Sequence, residues 1–291
     1  MNVLAIFLAI AAAIFWALTQ VLTKTGLQRM KLISYASFRP LFALLFIVPY
    51  GLFASEFHFA GLNFVGVAIL SGIIDPFIGS LLYFFAIKKS SAHETASLAN
   101  TAPFWGVVTA VLFLGEKPRP VVFIAAFLVV SGAYFLVTRR VNPSTNHSLW
   151  GTLPALGAGF LWGVAETVPA KYCLSHGMSP VSYLLVMVST AAVVWNLVAI
   201  FTKKHHFRFT YPWRDIRVAM LTAFTGFFLG WVLWLTGLQM APASLLAPIR
   251  GSMTLFAFLF SIVLLRERPT RRSALGVFLT FGGVFLVSIL G

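Results

Sequence analysis

The chain has 291 residues and a formal net charge of +14, yet 59% of its residues are apolar and only 10% are charged. Its mean hydropathy is +0.92, which excludes a water-soluble globule because too few charges are left to cover a surface. The basic residues stand in short loops between apolar runs, so anionic lipid, not nucleic acid, is the expected partner of the positive charge.

Ten apolar runs long enough to cross a bilayer follow one another along the chain. They cover roughly 3–23, 34–54, 62–87, 92–114, 120–138, 149–171, 180–201, 216–239, 243–265 and 272–290, each about 18 to 25 residues long. The connections between the runs are short, except at 139–148 and 202–215. The sequence therefore predicts an all-α polytopic membrane protein with ten transmembrane helices and no soluble domain.

An internal repeat divides the ten runs into two sets of five. Shifting the sequence by about 151 positions lays 79–132 over 230–283 without a gap. The landmarks that recur in order are Gly79 with Gly230, Leu82 with Leu233, Ala92 with Ala243, Ala96 with Ala247, Glu116 with Glu267, Pro118 with Pro269 and Gly132 with Gly283. Because five is odd, the second half is inverted in the membrane, as in the inverted repeats of secondary transporters. We predict halves at 1–140 and 141–291, with any binding site between them.

Three short motifs carry a family resemblance: Phe15-Trp16-Ala17 in the first run, Leu161-Trp162-Gly163 in the sixth, and Gly115-Glu116-Lys117-Pro118 after the fourth. With these motifs, in this order, essentially the whole chain resembles the EamA family of the drug/metabolite transporter superfamily. The resemblance implies a multi-pass protein of the cell (inner or plasma) membrane, with a cavity lined mainly by spans one, three, four, six, eight and nine. Members typically export amino acids, and relatives carry nucleotide sugars, sugar phosphates or choline. Arg266 departs from the pattern by replacing the glycine of the second corner.

Two opposed signals leave the orientation of the termini open. Most Lys and Arg residues near the ends of the runs fall in the loops that follow runs one, three, five, seven and nine. The positive-inside rule would then place both termini outside the cell. The family resemblance instead implies that both termini are cytoplasmic.

Two carboxylates lie within predicted spans. Glu166 follows Trp162 by four residues, so the two side chains share one face of a helix. A carboxylate at that depth costs about 2.5 to 3.5 kcal/mol to insert, so Glu166 should face a cavity or a partner. Asp75 directly precedes Pro76, where a helix should kink or break. Both acids are candidates for binding a proton or a cation. The alternatives are a salt bridge for Glu166 and a locally rearranged helix for Asp75.

Two arginines within the spans are candidate partners for anions. Arg250 lies about two turns into the ninth span, where a guanidinium could bind a substrate carboxylate or phosphate in a forked geometry. Alternatively, Arg250 pairs with Glu166 or Asp75, or extends to the membrane interface. Arg39 lies in the second span, and we expect it to take part in gating or in a structural ion pair, which includes a bridge to Glu166.

Aromatic and amide side chains in mid-span complete the candidate site. Trp16 and Trp162 occupy matching places in the two halves, so they should approach the cavity from opposite sides across a pseudo-two-fold axis. Trp faces attract ammonium groups, and the alternative roles are interfacial anchoring and interhelical hydrogen bonding. The predicted substrate-binding residues are Trp16, Gln20, Tyr83, Asn100, Trp162, Glu166, Trp234 and Arg250, with Glu166, Asp75 and Arg39 in proton or ion coupling and gating.

These residues predict a secondary active transporter of a small polar or zwitterionic metabolite, with export of an amino acid or a related amine as the leading expectation. Arg250 would bind the anionic end of the substrate, and Glu166, together with Asp75, would bind the cationic end or a proton. The tryptophans would flank the body of the substrate. The partners expected are a small molecule and membrane lipids, without nucleic acid, for a protein that acts as a monomer or a homodimer.

Other functions stay open at this point. An aromatic box with one carboxylate also suits a quaternary amine such as choline, whereas a nucleotide sugar would need more bases in the cavity. From another class, the chain could be a lipid flippase or scramblase, or an intramembrane enzyme. The sequence contains no Walker loop, nucleophile elbow, zinc signature or dinucleotide fingerprint, and the lone Cys173 permits no intrachain disulfide. We therefore predict no enzymatic activity, no catalytic residue, no cofactor and no bound metal.

Overall fold

The computed structural model describes residues 2–89, 92–137, 149–202, 211–265 and 270–291. Across these ranges the chain is helical, with short turns between the helices. The predicted boundary between the halves at 140–141 lies outside the described residues, as does the second corner at 266–269. Several of the basic loop residues that bear on orientation lie outside them as well.

Ten helices follow one another in the described ranges, five in each half. The first half contains α1 (Val3–Arg29), α2 (Leu32–Phe53), α3 (Leu62–Ile73, Ile74–Gly79 and Ser80–Lys89), α4 (Ala92–Ala99 and Ala102–Leu114) and α5 (Pro120–Val137). The second half contains α6 (Leu149–Ser175), α7 (Pro180–Phe201), α8 (Trp213–Thr222, Ala223–Gly230 and Trp231–Met240), α9 (Ala243–Arg250 and Met253–Leu265) and α10 (Arg271–Leu290). The predicted fold class, ten helices in a five-plus-five repeat, is confirmed.

Side chains at several helix starts explain where those helices begin. The Asn2 side chain accepts a hydrogen bond from the Leu4 nitrogen at 3.1 Å and so caps α1. Ser179 caps α7 by accepting from the Ser182 nitrogen at 3.1 Å, and Pro180 follows it at the first helical position, where a missing N–H costs nothing. These polar caps satisfy backbone donors that the lipid could not.

Most of the helices have the length and composition of membrane spans. Seven helices in the described ranges are long and apolar enough to cross a bilayer, and two shorter apolar helices lie at Ala102–Leu114 and Pro120–Leu136. The remaining helix, α6, has 27 residues. Large apolar side chains, including Phe113, Phe127 and Phe278, are exposed on the outside of the bundle. Lipid covers such a surface, and the protein is a multi-pass membrane protein.

Four helices are interrupted, and the interruptions recur at equivalent places in the two halves. The third helix of each half widens into a π-helical segment, Ile74–Gly79 in α3 and Ala223–Gly230 in α8. The fourth helix of each half breaks after one short segment, at 100–101 in α4 and 251–252 in α9. Such breaks free backbone groups in mid-membrane and are tolerated where they line a cavity or are buried in protein.

Packing between the halves relates them by a pseudo-two-fold axis. Helix α1 packs against α8 and α9, and its counterpart α6 packs against α3 and α4. Helix α2 packs against its own counterpart α7, and α5 against α10. When the two halves are exchanged, the α2–α7 and α5–α10 pairs map onto themselves, and the contacts of α1 map onto those of α6. The core of the bundle therefore lies between the halves.

Glycines let α5 and α10 approach closely at the edge of the bundle. A Cβ on Gly132 would lie 2.6 Å from the Thr280 nitrogen, and a Cβ on its counterpart Gly283 would lie 2.8 Å from the Ala125 carbonyl oxygen. Larger side chains would force these backbones apart, as expected for small-residue packing in membranes.

Candidate functional site

A chamber of about 660 Å³, including solvent at its mouth, lies between the two halves. Its walls come from α1, α2 and α3 of the first half and from α6, α8 and α9 of the second. The lining residues are Trp16, Thr19, Gln20, Arg39, Asp75, Pro76, Ser80, Trp162, Glu166, Gly226, Phe227, Trp231, Arg250 and Met253.

The exposure of Gln20 indicates that the chamber opens toward the end of the bundle at which α1 finishes and α2 begins. Gln20 is the exposed side chain of the lining set, and it lies on this side of Trp16. Arg39 lies on the same side, near the start of α2. A polar molecule could therefore enter the chamber from this end.

Hydrogen bonds close the opposite end of the bundle. The Glu116 carboxylate accepts from the Ala243 and Ser244 nitrogens at 2.8 Å each, and so caps the start of α9. The Lys171 ammonium donates to the Leu238 and Ala241 carbonyl oxygens at 2.6 and 2.9 Å, at the end of α8. An acid at a helix N-terminus and a base at a helix C-terminus both interact favourably with the helix dipole, so these contacts stabilise the connection between α8 and α9.

The π-helical segments are held by indoles from the opposite half. Trp162 Nε1 donates to the Asp75 carbonyl oxygen at 3.3 Å, and Trp16 Nε1 donates to the Gly226 carbonyl oxygen at 3.1 Å. Gly226 lies 151 positions after Asp75, so the two hydrogen bonds are equivalent under the repeat. Trp195 of α7 adds a third, from Nε1 to the Pro76 carbonyl oxygen at 2.8 Å. The carbonyls freed by the widened turns are thus satisfied, and the turns are fixed.

A second aromatic residue lies behind each of the two lining tryptophans. The Tyr83 and Trp162 ring centroids are 5.3 Å apart, and those of Trp16 and the Tyr83 counterpart Trp234 are 5.9 Å apart. Trp234 is fully buried and donates from Nε1 to the Glu166 carbonyl oxygen at 2.8 Å. Neither Tyr83 nor Trp234 lines the chamber, so both support the walls from outside.

Glu166 and Arg250 form an ion pair in the wall of the chamber. The Arg250 guanidinium donates to Glu166 Oε1, and the two side chains are only 7% and 9% exposed, respectively. The Arg250 Cζ atom also lies 5.4 Å from the Trp16 ring centroid, a cation–π contact. The salt bridge considered for Glu166 is therefore present, while both residues still face the chamber.

Asp75 lies close to this pair without joining it. Its residue is 8% exposed, and the Oδ2 atom is buried with no hydrogen-bond partner among the described residues. Asp75 lines the same chamber as Glu166 and Arg250. Its carboxyl group has no ionic partner within 4 Å among the described residues, so it is available to a cationic group in the chamber.

Arg39 contacts rings instead of carboxylates. Its Cζ atom lies 4.9 Å from the Phe227 ring centroid and 5.4 Å from that of Tyr35. The Nε atom is buried and has no hydrogen-bond partner among the described residues. The in-plane donors of a guanidinium stacked on a ring stay free for an anion.

The remaining candidates are placed as follows. Gln20 lines the chamber, whereas Asn100 lies buried at the break of α4 and does not line it. Sequence reasoning missed Phe227 and Trp231, which both line the chamber. These two aromatic residues lie four positions apart on α8, so the shared helical face of an i, i+4 pair was the signal that could have found them.

Comparison with known proteins gives a consistent family match. The model of the EamA-like transporter family matches residues 3–138 and 149–289. An uncharacterized transporter from Archaeoglobus fulgidus is 23% identical over 286 residues, which is 98% of each chain. The pseudopaline exporter CntI of Pseudomonas aeruginosa is 27% identical over 116 residues, 39% of this chain and 40% of that one. A solved crystal structure with 16% identity superimposes with a TM-score of 0.82 over 98% of this chain and 96% of that one, so the two share a fold.

Proposed function

The chain belongs to the EamA-like transporter family, and on that premise we propose that it moves a small zwitterionic metabolite, an amino acid or a related amine, by alternating access. The observation that carries this proposal is the chamber between the halves, which contains two acids and two bases beside tryptophan walls. The acids are Asp75 and Glu166, and the bases are Arg39 and Arg250. A molecule with one charge of each sign is the complement of such a lining.

The balance of charges favours a zwitterion over an anion or a lipid. A buried charge needs a partner, since its desolvation is costly in a low-dielectric interior. A nucleotide sugar carries at least two negative charges, and two acids in the lining would repel it. A lipid headgroup would bring apolar chains that need a lateral opening, whereas this chamber opens at the end near Gln20.

The symmetry of the bundle supports alternating access. In this conformation the end near Gln20 is open, and the opposite end is held by Glu116 and Lys171. Because the halves are related by an inverted repeat, the same packing with the roles of the halves exchanged would open the other end. The movement needs rocking of helices around a fixed chamber, with no change of fold.

The comparison with named relatives supports the proposed direction. One relative is named an exporter, and export is the direction that we propose for this chain. That match spans 39% of the chain, so the chemistry of the substrate rests on the chamber and not on the relative.

Transport by the full chain in proteoliposomes tests the proposal. The panel contains radiolabelled amino acids, choline and a UDP-sugar, each measured with and without a proton gradient. We expect saturable transport of at least one amino acid and none of the UDP-sugar, and we expect Glu166→Gln and Arg250→Ala to reduce it about tenfold or more. Asp215→Asn serves as the control because Asp215 pairs with Arg29 in the first turn of α8 and does not line the chamber. Transport of the UDP-sugar, or amino acid transport unaffected in both chamber variants, would refute the proposal.

Choline is the second candidate, since Trp16, Trp162, Trp231 and Phe227 line the chamber. A quaternary ammonium is attracted by aromatic faces and needs no base. Choline transport that survives Arg250→Ala but is lost in Trp162→Ala would favour this substrate.

A further inference from the structure

The chamber is symmetric in its scaffold and asymmetric in its charges. The indole hydrogen bonds and the close-packed glycines occur once in each half, as Trp16 with Gly230 and Trp162 with Gly79. No charged lining residue has a charged counterpart. By the 151-position shift the counterpart of Asp75 is Gly226 and that of Arg250 is Ala99.

The other two charges are unmatched as well. Glu166 lies four residues after Trp162, and the residue four positions after Trp16 is Gln20. Arg39 is the eighth residue of α2, and the eighth residue of α7, which has the same length, is Met187. The repeat therefore places equivalent tryptophan and glycine contacts in both halves, whereas each charged residue occurs in one half only. Such an asymmetric set of charges suits a ligand that carries different charged groups.

Two of these four charges are already paired, and two are not. Glu166 and Arg250 of the second half bind each other. Asp75 and Arg39 of the first half have no ionic partner within 4 Å among the described residues, and each has a buried polar atom without a hydrogen bond. Both side chains line the chamber, so a ligand inside it can supply the opposite charge that each of them lacks.

We propose that Asp75 binds the ammonium group of the substrate and Arg39 binds its carboxylate, while the Glu166–Arg250 pair stays intact as part of the wall. This assignment rests on the proposed function, and it differs from the sequence expectation, in which Arg250 binds the anionic end of the substrate and Glu166, together with Asp75, binds the cationic end or a proton. Glu166 lines the same chamber as Asp75 and adds a second carboxylate to it. Phe227 supports the guanidinium of Arg39 from one face.

The positions of the two residues also set the direction in which the substrate lies. Arg39 lies seven residues after the start of α2 at Leu32, about 10 Å along the helix from the open end. Asp75 lies in the π-helical segment at the middle of α3. Arg39 therefore approaches the charged groups of the substrate from the side of the opening, and Asp75 approaches them from the deeper side.

Three ligands that differ only in their charged groups test the recognition of the ammonium group and of the carboxylate separately. L-Leucine carries both charges, 3-methylbutylamine lacks the carboxylate, and 4-methylpentanoate lacks the ammonium group. The full chain is reconstituted in proteoliposomes, and inhibition of radiolabelled L-leucine transport by each analogue is measured. We expect Asp75→Asn to weaken leucine and the amine about tenfold or more while leaving the carboxylate analogue unchanged. Arg39→Met should weaken leucine and the carboxylate analogue by the same factor and leave the amine unchanged.

For the weakened variants, residual leucine transport is measured at raised leucine concentration, so that the inhibition constants stay measurable. Asp215→Asn and Arg272→Met make the same chemical changes outside the chamber, where Arg272 lies over the rings of Tyr134 and Phe135. In both controls, the inhibition constants of the three ligands should rank as they do in the wild-type chain. If Asp75→Asn does not fold, Asp75→Gly places there the residue that the other half has at Gly226. If Arg39→Met does not fold, Arg39→Gln replaces it.

Three outcomes would overturn the assignment alone. Equal weakening of both analogues in each variant would show a general structural role, and the reversed pattern would exchange the two ends. If the inhibition constants rank as in the wild-type chain in both variants, neither residue takes part in recognising the substrate. If the wild-type chain transports no amino acid of the panel, the proposed function fails and the assignment fails with it, whereas the first three outcomes leave the proposed function intact.

Discussion

Replacing Gly79 or Gly230 by alanine should separate a tryptophan from the π-helical segment that it holds. An added Cβ would lie 2.6 Å from Trp162 Nε1 at position 79 and 2.6 Å from Trp16 Nε1 at position 230. Trp16 cannot easily yield, because it packs against Trp231 and Trp234 at centroid distances of 5.7 and 5.9 Å. Each substitution should therefore break the indole hydrogen bond in its half.

The size of the effect follows from three contributions to the free energy of unfolding. Overpacking costs about 1 to 3 kcal/mol, and the lost hydrogen bond to a buried carbonyl costs about 1 kcal/mol more. The better helix propensity of alanine returns roughly 0.5 to 1 kcal/mol. Each variant should lose about 1 to 3 kcal/mol, and the losses should be similar because the two sites are equivalent.

Unfolding of the purified full chain by SDS in mixed micelles, followed by tryptophan fluorescence, measures these losses. Gly282→Ala on α10 is the matched control, since a Cβ there meets nothing within 4 Å. It should be neutral or slightly stabilising. If either chamber variant is as stable as Gly282→Ala, or if only one of the two is destabilised, the argument from equivalent indole contacts is wrong.

Three further substitutions test other parts of the structure in the same unfolding assay. Glu116→Ala removes the acceptor of two α9 backbone nitrogens and should cost about 1 to 2 kcal/mol. Glu166→Gln leaves Arg250 buried without its ionic partner and should cost about 3 to 5 kcal/mol, most of which the double variant with Arg250→Met should recover. Trp234→Phe removes the donor to the Glu166 carbonyl oxygen and should cost about 1 to 2 kcal/mol.

Each of these substitutions has a control close to it in chemistry. Lys117→Ala changes the exposed neighbour of Glu116 and should be neutral, so equal losses at 116 and 117 would contradict the capping role. For the buried pair, a double variant no more stable than Glu166→Gln alone would mean that the unpaired charge is not the cause. Trp150 is 76% exposed, and Trp150→Phe should leave stability unchanged. An equal loss there would show that the cost comes from the size of the ring and not from its N–H.

The sequence by itself determined the number of spans and their duplication. A run of about 20 apolar residues must cross the bilayer because its backbone groups are satisfied only within a helix. The gap-free shift of 151 positions also identified which residues of the two halves are equivalent, such as Gly79 and Gly230, without any knowledge of their contacts. The interruption of α3 at Asp75-Pro76 followed from the missing N–H of proline, whereas the equivalent π-helical segment at 223–230 contains no proline and left no such signal.

Only the tertiary structure decided which side chains meet. Helical periodicity placed Glu166 on the same face as Trp162, and the sequence offered both Arg39 and Arg250 as its ionic partner. The structure pairs it with Arg250, 84 positions away. Trp234 was expected in the chamber wall, yet its indole turns to a backbone carbonyl of α6. A sequence pattern fixes the face of one helix, whereas a buried contact depends on how two helices are rotated against each other. That rotation is set by the packing of the whole bundle.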